Sequence, residues 1–187
     1  MNTLLYSGGL DSACAWWILG KPAALHFNGP NGPARDASDG EREAIRRQVA
    51  ICPEFASALR IAVLDFRPFM RAGTWQFPRD QICCITAWAH GCDSVALGWC
   101  KEDGLRPGDM EIQKARLEAS VGMRGFTVHF PVLHMTKAEL IEAALKAGAP
   151  MAFIEASHSC VRDVDPCGEC QNCRHRAAAF EMAQVRA

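Results

Sequence analysis

Residues 3–20 have the sequence TLLYSGGLDSACAWWILG, in which an apolar run, a glycine pair and a second apolar run follow one another. The first run, Thr3 to Tyr6, predicts a short strand that stops at the turn Ser7-Gly8-Gly9. The second run predicts a helix from Asp11 to Leu19, and Gly20 is placed to end it. Strand, turn and helix in this order predict the first unit of a parallel sheet.

The same alternation of strands and helices continues along the chain. Hydrophobic periodicity predicts strands at 23–27, 60–66, 94–99 and 126–132, and helices at 41–51, 81–90 and 109–121. A further helix begins at the capping box Thr136-Lys137-Ala138-Glu139 and stops at Gly148. Because parallel strands need crossover connections, we predict an α/β fold with about five strands in a mostly parallel sheet and helices on both faces.

Length and composition favour one compact core, since 187 residues is an ordinary size for a single domain. We predict an α/β domain at 1–148 and an appendage at 149–187, where a cysteine-rich loop precedes a helix at about 172–184. A net charge of −1 gives no global field for nucleic acid and favours a small partner. No apolar run is long enough to span a membrane and no secretory signal begins the chain, so the sequence predicts a cytoplasmic protein.

The turn after the first strand has the residues of a phosphate site. In open parallel sheets ligands bind beyond the carboxyl ends of the strands, and two glycines let successive amides converge on an anion there. The helix dipole adds positive potential, and Asp11 could hold Mg²⁺. A Gly-Gly turn alone is also common in loops that bind no ligand. No Gly-Lys-Ser/Thr follows it, so this turn is not a Walker A loop. The residues that we expect to hold phosphate groups are Ser7, Gly8, Gly9, Leu10, Asp11 and Ser12.

Four of the ten cysteines form a group with the spacing C-x6-C-x2-C-x2-C, namely Cys160, Cys167, Cys170 and Cys173. Four thiolates suit a tetrahedral Zn²⁺ ion, and a closed set of four is typical of a structural site. An iron-sulfur cluster and a redox dithiol are the alternatives. His158 and His175 flank the group and could replace a thiolate, although each is expected to be a solvated or capping side chain.

The string Ser-Gly-Gly-x-Asp-Ser resembles the loop of the PP-loop ATP pyrophosphatase family. That resemblance implies that the loop grips the β and γ phosphates while an acceptor oxygen attacks the α phosphate, releasing pyrophosphate and later AMP. With the cysteine group at the other end, nearly the whole chain resembles the QueC family, the 7-cyano-7-deazaguanine synthases. Weaker matches to the family are Phe77-Pro78-Arg79-Asp80, the segment from Gly98 to Asp103, and Lys137-Ala138-Glu139.

The resemblance implies a ligase that adenylates 7-carboxy-7-deazaguanine and couples it to ammonia, giving an amide and then the nitrile preQ0. Asp11, Lys137 and Arg79 are the candidate catalytic residues, with Lys137 expected at the α phosphate. Glu102, Asp103 and Trp99 are candidates for binding the substrate, and Phe77 is a further candidate for stacking on its ring. Each of these residues could instead have no role in catalysis or binding, as a solvated lysine, a member of a surface ion pair or a core aromatic residue.

Two departures from the family pattern bear on the acceptor. His26-Phe27-Asn28-Gly29-Pro30, followed by Asn31, replaces an Asp-Tyr-Gly-Gln-like segment near the nucleotide and a possible homodimer contact, and Asp80 stands for an expected asparagine. Some QueC-like proteins of antiphage-defence operons join a deazapurine to a partner protein amine, which is one alternative function. A PP-loop tRNA-modifying enzyme and an inactive nucleotide sensor are the others.

Overall fold

The computed structural model of the chain describes residues 3–28, 37–65, 70–71, 74–75, 79–104, 107–122 and 125–186. Five parallel strands form one sheet: β1 (Thr3–Leu5), β2 (Ala24–Asn28), β3 (Leu59–Val63), β6 (Ser94–Leu97) and β7 (Thr127–His129). Their order across the sheet is β3-β2-β1-β6-β7, so β1 is central and the direction of winding reverses beside it. A small antiparallel pair, β4 (Met70–Arg71) and β5 (Thr74–Trp75), lies apart from this sheet.

Eight helices accompany the strands in the described part of the chain. They are α1 (Leu10–Ile18), α2 (Ala37–Ile51), α3 (Pro53–Ala58), α4 (Arg79–Ala89), α5 (Pro107–Val121), α6 (Lys137–Lys146), α7 (Met151–Glu155) and α8 (Gln171–Arg186). One turn of 3-10 helix covers Lys101–Asp103. Thr136 caps α6 as its sequence predicts, because its hydroxyl accepts from the Glu139 amide while the Glu139 carboxylate accepts from the Thr136 amide.

A separate hydrophobic core covers each face of the sheet. On one face α1 packs with α6 and α7, and Trp16, Phe55 and Phe153 form mutual ring contacts at centroid distances between 4.9 and 5.8 Å. On the other face α4 and α5 cover Leu25, Val95 and their neighbours. The predicted fold class, with five strands and helices on both faces, is therefore confirmed.

Some elements could not be predicted from the sequence because they are short. Pro53–Ala58 and Met151–Glu155 form helices of six and five residues, too brief to show a helical period. The predicted strand at 60–66 ends at Val63, and the one at 126–132 ends at His129. Each of these strands is thus shorter at its carboxyl end than its apolar run suggests.

The carboxyl-terminal segment returns to the main body of the fold. Its helix α8 packs along α6, and Ala179 and Ala183 are buried in the same core as Trp16. The boundary at residue 148 therefore separates two stretches of sequence that share one core, and whether they are separate folding units stays a prediction. None of the described helices combines the length and apolar character that a membrane span requires.

Candidate functional site

Hydrogen bonds of its own serine hydroxyls stabilise the turn between β1 and α1. Ser12 Oγ donates to the Gly9 carbonyl at 3.0 Å, and the Ser7 and Ser12 hydroxyls lie 3.1 Å apart. Gly8 has a φ of +84°, a conformation that other residues adopt only at a cost. A Cβ at Gly8 would stand 2.8 Å from the Glu41 carbonyl oxygen, so α2 also packs against the turn at this point. We call residues 7–12 the phosphate loop.

The amino end of α1 completes this loop. Leu10 is buried in the core, so only its backbone can meet a ligand, while Asp11 and Ser12 face a cleft at the carboxyl edge of the sheet. Gly98, just after β6, approaches α1 so closely that a Cβ there would lie 3.1 Å from the Ser12 Cα. The first turn of α1 can therefore point its unpaired amides at an anion in the cleft.

Lys137, the first residue of α6, contacts the phosphate loop although it is 126 residues from Asp11 in the sequence. Its Nζ donates to Asp11 Oδ2 at 2.5 Å, and only 10% of the lysine side chain is exposed. Burial alone would lower the pKa of Lys137, but the Asp11 carboxylate outweighs that effect and raises it. The pKa of Asp11 is raised because burial outweighs its attraction to Lys137. Asp11 Oδ1 is buried and has no hydrogen-bond partner among the described residues.

Residues of the turn after β6 contact Lys137 and fix its position. Glu102 accepts from the Lys137 amide at 2.9 Å with one carboxylate oxygen and from the Cys100 thiol at 3.3 Å with the other. The Lys137 ammonium also lies 3.3 Å from Cys100 Sγ. Glu102, expected at the substrate, has both oxygens engaged in holding α6 and Cys100. Asp103 differs, because it accepts from the Cys100 amide and also lines the cleft.

The cleft brings together most of the residues singled out from the sequence. Polar groups converge on it from the phosphate loop and from α4, whereas the ends of β1, β2 and β6 give it apolar walls. Its predicted site residues are Ser7, Asp11, Ser12, Arg79, Trp99 and Asp103. Arg79 Nη2 lies 3.3 Å from a Glu41 carboxylate oxygen, and the Trp99 ring packs against Phe130 at 5.1 Å.

The sequence did not predict a role for several residues in or near the cleft. His26 is buried with its Nδ1 2.9 Å from the Tyr6 carbonyl oxygen, and burial lowers its pKa. Asp80 lines the cleft, and burial raises its pKa. Cys100, which lies in the segment from Gly98 to Asp103 but was not itself singled out from the sequence, proves to be a neighbour of Lys137. Gly29 to Asn31 and Phe77 lie outside the described residues, so the expectations placed on them stay predictions.

The four cysteines predicted to bind metal lie together: Cys160, Cys167 and Cys170 are in the loop between α7 and α8, and Cys173 is in the first turn of α8. We call residues 160–173 the four-cysteine loop. Their sulfur atoms are all within 4.8 Å of one another, and Cys167 and Cys173 are 4.0 Å apart. Tetrahedral Zn²⁺ with bonds of about 2.3 Å requires sulfur atoms about 3.8 Å apart, whereas a disulfide requires about 2.05 Å. Amides of Val161 and Cys173 lower the pKa of Cys170 to about 6, which favours its thiolate. The donor set therefore fits a tetrahedral metal ion.

Comparison with solved structures defines the class of fold. The chain resembles a 4-thiouridine synthetase, solved in complex with RNA and with bound ATP, with a TM-score of 0.52 and 20% identity. The match covers 98% of this chain and 49% of that one, so the chain spans about half the length of the solved protein. The chain is thus an α/β protein with a PP-loop fold.

Comparison of sequences identifies the family. The family model described as queuosine biosynthesis protein QueC matches residues 81–184. The 7-cyano-7-deazaguanine synthases of Cupriavidus necator and of a Nitratiruptor species are 37% and 30% identical, covering 97% and 98% of this chain and 93% and 94% of theirs. A third, from Cupriavidus pinatubonensis, aligns at 38% over only 73 residues, which is 38% of this chain and 32% of its own length. The chain belongs to the QueC family.

Proposed function

We propose that the chain is an ATP-dependent ligase that adenylates the carboxylate of 7-carboxy-7-deazaguanine, releases pyrophosphate and AMP, and joins the acyl group to nitrogen. With ammonia as the nucleophile the product is the amide, and a second adenylation gives the nitrile preQ0. The observation that carries this proposal is the buried pair of Lys137 and Asp11 at the phosphate loop, in a chain whose full-length relatives are named 7-cyano-7-deazaguanine synthases.

The pair supplies what adenylation needs at the phosphorus that is attacked. Negative charge builds on the α phosphate as the carboxylate oxygen approaches, and a fixed cation in a poorly solvated site stabilises that charge. Lys137 keeps its proton because Asp11 raises its pKa, and Glu102 fixes the position of its backbone. The hydroxyls of Ser7 and Ser12 and the amides of the phosphate loop then hold the leaving pyrophosphate.

A cation that lines the cleft suits the carboxylate substrate. Arg79 lines the cleft and remains a cation, because the neighbouring Glu41 carboxylate outweighs the effect of burial and raises its pKa. A guanidinium can bind a carboxylate through two parallel hydrogen bonds and so bring it toward a second anion. Trp99 offers an aromatic surface for a planar ring, and Asp103 offers an acceptor for ring N–H groups.

Two metal ions belong to this proposal. Mg²⁺ would be held by Asp11, whose Oδ1 is buried and without a partner among the described residues, and it would screen the charge of the phosphates. Cys100 and Asp103 offer further ligand atoms within 4.8 Å of Asp11, although a thiol is a poor ligand for Mg²⁺. Zn²⁺ would be held by the four-cysteine loop in a structural role.

A second candidate product is a conjugate with the amine of a partner protein. The end of β2 favours it, because Asn28 lies in the segment that departs from the QueC family pattern, and its side chain accepts from Arg42 at 3.2 Å. The neighbouring Phe27 lines the cleft, so a change at this strand end can affect which nucleophile reaches the substrate. An enzyme of this kind would stop at the amide bond and make no nitrile.

The test is incubation of the protein with ATP, 7-carboxy-7-deazaguanine and ammonium, followed by mass spectrometry of nucleotide and deazapurine products. We expect AMP together with the amide or the nitrile. Omitting ammonium and adding cell extract separates the second candidate, which predicts AMP together with a protein that has gained the mass of the deazapurine. ADP in place of AMP would refute adenylation for both candidates.

A further inference from the structure

The four-cysteine loop and the phosphate loop meet at one residue, His158. The His158 amide donates to the Gly8 carbonyl oxygen at 2.9 Å, which is a backbone hydrogen bond between segments about 150 residues apart in sequence. A Cβ placed at Gly9 would lie 3.4 Å from the His158 carbonyl oxygen, so the two backbones run in close contact. The backbone of His158 therefore forms one wall of the phosphate loop.

The imidazole of His158 fills a space that a glycine leaves in α2. A Cβ at Gly40 would stand 2.5 to 2.7 Å from three atoms of the ring, closer than atoms can pack. Only 8% of His158 is exposed, so the ring has little room to move aside. From the sequence we expected a solvated or capping histidine here, and the structure shows a buried one because Gly40 admits its ring.

Hydrogen bonds with the segment that carries the cysteines fix the orientation of His158. His158 Nε2 lies 2.9 Å from the Cys160 carbonyl oxygen and donates to it, since a carbonyl can only accept. The preceding Ser157 is held by Arg176 of α8, which also donates to the Glu155 carbonyl oxygen at 2.9 Å. His158 thus lies between a ligand position of the cysteine group and the backbone of the phosphate loop.

We propose that His158 is a positioning residue through which the folded four-cysteine loop fixes the shape of the phosphate loop, so that nucleotide binding depends on an intact cysteine site. Gly40 is the residue that makes this contact possible. The proposal rests on the proposed function, because it assumes that residues 7–12 bind the phosphates of ATP. It assigns the cysteine site a role beyond stabilising its own loop, since loss of the metal would free the wall that Gly8 and Gly9 pack against.

The experiment compares the zinc-loaded variants Gly40→Ala and His158→Ala with the wild type. Zinc content is measured together with the Kd for the magnesium complex of α,β-methylene-ATP, an analogue that cannot be cleaved between the α and β phosphates. Both variants should keep their zinc and bind the analogue about tenfold more weakly or worse, because a small misplacement of a phosphate loop is costly. His158→Gln, which keeps a donor for the Cys160 carbonyl, should recover part of the affinity.

Gly108→Ala is the matched control, because Gly108 lies near the start of α5 and a Cβ added there would meet open space, so its affinity should equal that of the wild type. Amide hydrogen exchange of residues 7–12 without nucleotide gives a second readout. Removing zinc with a chelator should speed that exchange. Unchanged affinity in both variants with zinc retained, or unchanged exchange after chelation, would overturn the role of His158. A wild type that binds no analogue, but exchanges faster after chelation, would instead overturn the proposed function.

Discussion

Replacing Lys137 by methionine removes the ammonium and keeps nearly the same side-chain length. In the wild type that ammonium lies 2.5 Å from Asp11, and the two side chains are 10% and 24% exposed. Breaking a fully buried pair costs about 3 to 5 kcal/mol, and the partial exposure of Asp11 reduces our expectation to about 2 to 3 kcal/mol. The pKa of Asp11 should rise further, since Lys137 is the group that opposes the effect of its burial.

The rate of AMP formation should also fall, independently of this loss of stability. A preorganised charge at the reacting phosphate is worth about a hundredfold or more in rate, so AMP formation by Lys137→Met should fall by about that factor in protein that is still folded. Urea unfolding measures the stability, and turnover with saturating ATP measures the rate. Asp11→Asn and the double variant complete a cycle, in which the two changes should be strongly non-additive. A folded Lys137→Met enzyme within about threefold of the wild-type rate would refute the assignment.

Three further predictions test other parts of the structure. Gly8→Ala should abolish nucleotide binding, because its Cβ would meet the Glu41 carbonyl at 2.8 Å, whereas Gly20→Ala, with a φ of +73° and open space, should cost only backbone strain of about 1 to 3 kcal/mol. Cys170→Ser should lose bound zinc and the protection of α8 against hydrogen exchange, while Cys52→Ser, at the amino end of α3, should keep both. Because burial lowers the pKa of His26, the folded state binds its proton less readily than the unfolded chain, so stability should fall below about pH 6.5, by up to about 1.4 kcal/mol per pH unit. His26→Asn should flatten that slope in thermal unfolding curves, and an unchanged slope would show that His26 is not its source.

The fold could be predicted because its signals are local. A short apolar strand, the glycine turn at Ser7-Gly8-Gly9 and the capping box at Thr136 each lie within a few residues of sequence, and the structure shows all three. The spacing of the four cysteines likewise predicted that they form one group, and their sulfur atoms do cluster. Alternation of such elements then limited the sheet to the parallel arrangement that is observed.

The contacts inside the site depend on tertiary packing and had no such signal. Lys137 and Asp11 are 126 residues apart, and only the folding of α6 against α1 brings their side chains together. Cys100 is an apolar-looking residue after a strand, and its position beside that lysine follows from the turn at Lys101–Asp103. Nothing in the sequence around Gly40 shows that the ring of a histidine far along the chain will occupy the space beside this glycine.

Adenylation of a carboxylate at this phosphate loop leaves an isotopic signature that no other use of ATP would leave. The measurement uses 7-carboxy-7-deazaguanine with ¹⁸O in its carboxylate, incubated with the protein, ATP and ammonium, and follows the isotope by mass spectrometry. An acyl adenylate that is displaced by nitrogen leaves one carboxylate oxygen on the phosphorus, so we predict AMP that carries ¹⁸O. Unlabelled AMP, or label appearing in inorganic phosphate together with ADP, would contradict adenylation.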